Sequence, residues 1–282
     1  MASMSGVGRA LVLGGGGVTG VAWETGLLQG LAEAGLDLST ADVFIGTSAG
    51  AVVAAQLTSG RALDQLYAAQ LSTESSEIAA RMSRAALVRF VFAMVWPGNP
   101  QHARARLGRA ALRARTVPEA ERRAVIAHRL PNHEWPQQRL LITAVNAETG
   151  VDIVFDRSSG VPLVDAVAAS CAVPLVWPPM TINGHRYIDG GVRSVTNADL
   201  AKGYDRIVVI APTTAAFRRA DRPDAQVAAL GAGVRSIIVS PDAAARAAIG
   251  SNVLDPTHRA PAARAGRAQA ATMADLIRAV WT

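Results

Sequence analysis

Short unbroken apolar runs alternate with longer segments whose apolar positions recur at helical spacing. This is the pattern of strands buried on both faces between packed helices. Arg9 to Leu13 is the first such run and Val43-Phe44-Ile45 the second. Val21 to Ala34 reads as the helix after the first, with Gly35 as its stop, and Ala51 to Leu57 as the helix after the second. Beyond a break at Ser59-Gly60-Arg61, Ala62 to Leu71 is predicted helical and Ser72 to Ser76 a polar loop. Ala85 to Trp96 is the most apolar stretch; it is too short to span a bilayer and is stopped by Pro97-Gly98. It reads either as a buried core helix or as a lid or interfacial helix that meets lipid and lines an acyl channel.

Strands resume at Arg139 to Asn146, which Val151 to Phe155 pairs with as a hairpin across the turn Glu148-Thr149-Gly150. Pro162 to Ser170 is a helix with proline in its first turn, and Pro174, Pro178 and Pro179 hold the next segment extended. Asn183-Gly184 between Met180–Ile182 and Arg186–Ile188 signals a second hairpin, which delivers Asp189-Gly190-Gly191. Arg206 to Ala211 and Ser236 to Val239 are further strands, and an Ala- and Arg-rich tail carries a last helix from about Ala263.

Composition narrows this picture. Half of the 282 residues are hydrophobic, which suits one large α/β domain. A single cysteine, Cys171, is expected to pack and leads us to expect a reducing, cytoplasmic setting. The start of the chain has no apolar core of a secretory signal, and no run of eighteen apolar residues predicts a spanning helix. The formal charge is +6, and it is concentrated: residues 102–129 hold eight arginines against Glu119 and Glu121, leaving the remainder near neutral. Such a patch faces anionic lipid, nucleic acid or simply water.

Candidate chemistry sits at the two strand–helix turns. Gly46-Thr47-Ser48-Ala49-Gly50 fits the nucleophile elbow, G-x-S-x-G between a strand and a helix. Gly14 to Gly20 presents backbone amides at a helix N-terminus, a geometry that holds a phosphate or an oxyanion. Gly15, Gly17 and Gly20 also match the dinucleotide fingerprint. That motif needs an acid at the end of the second strand, whereas Asp42 precedes it, and no Gly-Lys-Ser/Thr is present.

The polyglycine turn, Gly46–Gly50, Ala169-Ser170-Cys171-Ala172-Val173-Pro174 and Asp189-Gly190-Gly191 occur in an order that resembles the patatin-like phospholipase family, over about Arg9 to Pro212. The resemblance implies a lipid acyl hydrolase, a serine esterase with a Ser–Asp dyad and no metal or cofactor. Ser48 would be the nucleophile, within an elbow of Gly46, Thr47, Ala49 and Gly50. Asp189 would be the base, in a loop shaped by Gly190 and Gly191, and the amides of Gly15, Gly16 and Gly17 would form the oxyanion hole. We expect a three-layer α/β/α fold with a central mainly parallel sheet. Its core would run over about 9–71 and 139–240, a helical cap over about 72–138 and a helical tail over about 259–282. The expected partner is a lipid or other acyl ester, with the Arg-rich 102–129 segment touching an anionic membrane surface at the inner face; nucleic acid is not expected.

One position departs from the family pattern. Lys or Arg usually precedes the last glycine of the turn, and here Thr19 does. This bears on phosphate recognition unless an arginine from the cap substitutes, and keeps neutral esters, thioesters and acyl transfer open. A conventional Ser-Asp-His enzyme would need His258, which lies in a polar turn. The non-enzyme alternative is a silent lipid-binding protein on the same scaffold.

Overall fold

The structure, a computed structural model, describes residues 8–72, 77–95 and 98–282. Residues 73–76 of the polar loop expected at Ser72 to Ser76, the Trp96 and Pro97 pair and the first seven residues lie outside them. Among the described residues, eight strands form one sheet: β1 (Arg9–Leu13), β2 (Val43–Gly46), β3 (Arg139–Asn146), β4 (Asp152–Phe155), β5 (Met180–Ile182), β6 (His185–Asp189), β7 (Arg206–Ile210) and β8 (Arg235–Val239). β3, β2, β1, β7 and β8 run parallel in that spatial order, while β4 and β6 run antiparallel to β3 and β5 antiparallel to β6. The sheet is therefore mainly parallel, as expected.

The helices are α1 (Gly17–Glu33), α2 (Ala49–Leu57), α3 (Leu63–Leu71), α4 (Arg84–Val95), α5 (Pro100–Leu112), α6 (Glu119–Arg129), α7 (Leu163–Ser170), α8 (Pro223–Ala228), α9 (Ala243–Ile249) and α10 (Arg259–Trp281). Strand alternation sorts the core into two faces. Leu11, Leu13, Phe44, Val208 and Ile210 pack on α1, α2, α7, α9 and α10. Ala10, Val12, Val43, Ile45, Ile207 and Val209 point the other way, onto Ala198, Ala201 and Val227 of α8. That second face is completed by α4 and α5, whose Met94 and Leu107 pack on Val145 and Ile188. Each fully buried Phe or Ile contributes about 1.5–3 kcal/mol to holding these layers together.

The last helix is part of that core. α10 lies along α1, and a Cβ added at Gly26 or Gly266 would strike the backbone of Ala263 or Trp23. Trp23 Nε1 also donates to Gln269 Oε1 at 3.0 Å across the same seam. Among the described residues, no helix is long and apolar enough to cross a membrane.

The pairing of β3 positions the site. β4 occupies one edge of β3, because Ile142 faces Phe155 there while Gly46 faces Ile142 on the opposite edge. Ala144 likewise lies between Ile153 and Asp189. β2 and β6 therefore share one edge of β3 and meet end to end, with only Thr143 between their last partners. The residues following β2 and the last residue of β6 are brought together from opposite directions.

Candidate active site

Ser48 follows β2 and caps the N-terminus of α2 with φ 53° and ψ −113°. A non-glycine residue held at positive φ is uncommon and strained, as a nucleophile elbow requires. Serine at a helix N-terminus ordinarily caps the helix with its hydroxyl. Here the side chain makes no capping bond. The strained turn is held by its neighbours: the Ser48 amide donates to Ser170 Oγ at 2.9 Å, and Gly50 N donates to Gly14 O at 2.9 Å. The Cys171 thiol donates to Ser48 O at 3.3 Å. Burial pushes that thiol up to about 12, so Cys171 packs and braces, as expected.

Asp189 ends β6 and is 5% exposed. Its Oδ1 accepts the Gly191 amide at 2.7 Å. Burial raises the carboxyl to about 6, opposed by the Ser48 hydroxyl, the Gly191 amide and the Arg122 cation. A carboxylate near 6 is a better base than a free one and is still ionised at neutral pH. Behind the pair runs a polar seam: the Thr47 and Thr143 hydroxyls share a hydrogen bond of 3.0 Å, and Asn197 Nδ2 donates to Thr47 Oγ1 at 3.0 Å and to Ser194 O at 2.8 Å. This fixes the junction of β2 and β6.

The polyglycine turn faces Ser48, with one correction. The Gly15 amide donates to Val195 O at 2.7 Å, so it is already engaged and does not point to an open oxyanion position. Gly14 N donates both to Ile210 O and to Glu24 Oε1, at 2.9 and 3.0 Å. Among the described residues, the amides of Gly16, Gly17 and Ala49 have no acceptor. Gly17 has φ +62°, and a side chain there would meet the Val253 carbonyl. The N-termini of α1 and α2 thus converge at the Ser48 turn.

Two buried charged residues went unassigned in the sequence. Glu24, fully buried on α1, supports the glycine turn through Gly14; burial raises its carboxyl well above the usual range. An acid within the mainly apolar first half of the helix was the available signal. Arg122 enters from α6, which Glu119 fastens to Thr181 of β5, accepting from Oγ1 at 2.9 Å. Arg122 is 3% exposed, and its guanidinium stacks 4.0 Å from the centroid of the Trp177 ring. Nε and Nη1 have no hydrogen-bond partner among the described residues, and the group borders a narrow void with Ser48, Ala49 and Cys171. Burial and then the Arg129 cation lower it to about 10, leaving it charged at neutral pH.

Ser48 and Asp189 open onto a cavity of about 430 Å³, walled by Phe90, Met82, Val173, Pro174, Ile249 and Leu254. Its size and apolar lining suit a hydrophobic ligand. The segment 249–254 was also missing from the sequence reading; Thr19 anchors it, its amide donating to Val253 O at 3.1 Å. His258 is not among the lining residues: its Nδ1 lies 2.8 Å from Ala248 O, against Gly250. Asp42 accepts the Arg9 amide at 2.7 Å, at the start of β1 and away from the glycine turn.

The family model of the patatin-like phospholipases matches residues 11–202. The chain belongs to that family. The match ends before β7, so α8, α9 and α10 lie outside it. VipD and ExoU are among the solved structures similar to the chain. VipD from Legionella pneumophila is 15% identical, with a TM-score of 0.46, over 95% of this chain and 66% of VipD. The type III effector protein ExoU is 19% identical, with a TM-score of 0.41, over 96% of this chain and 54% of ExoU. The chain thus spans just under two thirds of the first and about half of the second. A comparison with curated protein sequences finds no match.

Proposed function

We propose that the protein cleaves a carboxylic ester of a lipid through an acyl-Ser48 intermediate, with Asp189 as the base. The observation that carries this reading is the strained, uncapped Ser48 beside a buried carboxylate at the floor of an apolar cavity. Ser48 Oγ attacks the ester carbonyl as its proton passes to Asp189. The carbonyl oxygen becomes an oxyanion, received by the amides of Gly16, Gly17 and Ala49, each donor being worth about 3–4 kcal/mol in such a site. Collapse breaks the ester bond, and the leaving alcohol takes the proton from Asp189. Water then attacks the acyl-serine as its proton passes to Asp189; the acyl–Ser48 bond breaks, Ser48 Oγ takes that proton back, and the fatty acid leaves.

A carboxylate is a weak base, so the developing negative charge needs support from elsewhere. Arg122 supplies a cation beside the dyad, where the glycine motif offers Thr19 in place of the usual Lys or Arg. In this low-dielectric pocket its charge favours the ionised carboxylate and the oxyanion together. The test is a panel of phospholipids, neutral glycerides and p-nitrophenyl esters, with products identified by mass spectrometry. Fatty acid release by the wild type and its loss in Ser48→Ala and Asp189→Asn are expected. Unchanged release in either variant overturns the dyad, and an acyl group found on a non-water acceptor redirects the reading to acyl transfer.

A further inference from the structure

α4 carries apolar side chains toward solvent as well as toward the protein. Its inner side contributes Ala93 and Met94 to the core, and Phe90 to the wall of the Ser48 cavity. Its outer side exposes Leu87, Val88, Val91, Phe92 and Val95, with Val88 at 68% and Val95 at 59%. The spacing 87, 88, 91, 92, 95 is that of one continuous helical face. A contiguous exposed apolar face of this kind marks a contact surface. Phe217 extends it: the ring is half exposed and packs on Phe90, with centroids 5.8 Å apart.

The charge around this face is mainly positive, with Asp221 beyond Arg219 as the nearby acid. α4 contains Arg84 and Arg89 and no acid; Arg81 precedes it, and all three are exposed. Arg218 and Arg219 follow Phe217, and Arg218 reaches Gly98 O just beyond α4, at 3.4 Å. The arginines of residues 102–129 are largely engaged within the fold instead. Arg104 pairs with Asp152, Arg123 with Asp165 and Arg129 with Glu77; Arg106 donates to Ala93 O, and Arg122 is buried at the site. An apolar face rimmed by arginine and adjoining the cavity wall matches the headgroup–acyl boundary of an anionic bilayer.

We infer that α4 and the Phe217 loop dock the protein on an anionic membrane surface. The apolar side chains enter the acyl boundary, the arginines meet lipid phosphates, and the bilayer faces the Ser48 cavity across Phe90. The inference rests on the reading of that cavity as a lipid site. It is tested by co-sedimentation with vesicles of phosphatidylglycerol and phosphatidylcholine, against vesicles of phosphatidylcholine alone.

The wild type is expected to bind the anionic vesicles about tenfold or more tightly than the neutral ones. Val88→Asp/Val95→Asp should lower vesicle binding and turnover of vesicle lipid by about tenfold or more, since it places charges in the acyl boundary. Arg84→Glu/Arg89→Glu should remove the anionic preference. Both variants should keep kcat/KM for a water-soluble short-chain ester within about twofold of the wild type, because none of the four residues lines the cavity. Wild-type vesicle binding that both variants retain overturns the docking face. So does a wild-type dimer in light scattering that Val88→Asp/Val95→Asp dissociates without any vesicle binding, which would make the occupant a second copy. Failure of the dyad reading is distinct: the soluble ester would not be cleaved by any of the proteins, whatever they bind.

Discussion

The two strand–helix turns that meet at the site, β1 to α1 and β2 to α2, have the same topology and opposite chemistry. Both leave parallel strands paired in register, Leu13 beside Gly46, and both open a helix at its N-terminus. Each contains a residue at positive φ. In the first it is Gly17, with φ +62°, and the turn presents bare amides. In the second it is Ser48, with φ 53°, and the turn presents a hydroxyl that caps nothing. The strain is unremarkable for glycine and costly for serine, and the second turn accordingly carries more bracing, from Ser170, Cys171 and the Gly14 carbonyl. On the proposed mechanism the same fold element serves either as an anion receiver or as a nucleophile holder, according to which residue takes the unusual backbone angle.

Asp189→Asn breaks the comparison on the serine side and should have the largest effect, about 10⁴-fold in kcat/KM for a lipid or p-nitrophenyl ester. The same variant should fold more stably. The native carboxyl lies near 6, above its unfolded value, so its contribution to stability falls as pH rises between the two and is unfavourable at neutral pH. Thermal unfolding at pH 7.5 should show a gain on the order of 1–2 kcal/mol, and that gain should vanish at pH 4. Loss of stability at pH 7.5 would mean that the carboxylate is structurally required rather than strained.

Gly17→Ala and Gly15→Ala separate the amides of the other turn. Alanine at Gly17 must adopt φ +62° against the Val253 carbonyl, and kcat should fall by about 10²–10³. At Gly15 an added Cβ meets only ordinary contacts, 3.6 Å from the Ser48 Cβ, and the amide is bonded to Val195, so a loss of about tenfold or less is expected. Equal losses at the two positions would return Gly15 to the oxyanion hole.

The pH profile reads Arg122. With Asp189 as the proposed base, kcat/KM should decline as pH falls through about 6. Arg122→Met removes a cation that lowers this value, so the acid limb should move to higher pH, with kcat reduced by about tenfold to a hundredfold. Arg122→Lys should restore the position of the limb. A packing role alone would lower activity and leave the limb in place.

The smallest contrast concerns the support beneath the glycines. Glu24→Gln keeps an acceptor for the Gly14 amide and should be nearly silent in activity and stability. Glu24→Ala leaves that buried position without its carboxyl and should cost about 1–3 kcal/mol in thermal or denaturant unfolding.

Much of this was legible in the sequence because it is local. Glycines, a serine between glycines and Asn-Gly before Asp-Gly-Gly dictate turns from their own backbone limits, and the strands announce themselves as short apolar runs. Asn183 and Gly184 do take positive φ, and the hairpin they close ends on Asp189. Arg122 was not legible: among eight arginines in one segment, nothing in its neighbours separates a buried cation from a solvated one. Asn197 and the 249–254 wall were hidden for the same reason, since they reach the site only through tertiary packing. The end-to-end meeting of β2 and β6 on one edge of β3 is likewise a property of register, which local pattern does not fix.

The central claim is that Ser48 carries the acyl group, and trapping that group tests it most directly. The protein is mixed with a p-nitrophenyl ester or a fluorophosphonate, quenched in acid, digested and sequenced by mass spectrometry. The account predicts one adduct, on the Ser48 peptide, formed with a burst of p-nitrophenol and absent from Ser48→Ala. Turnover with no adduct on Ser48, or an adduct that persists in Ser48→Ala, would contradict it.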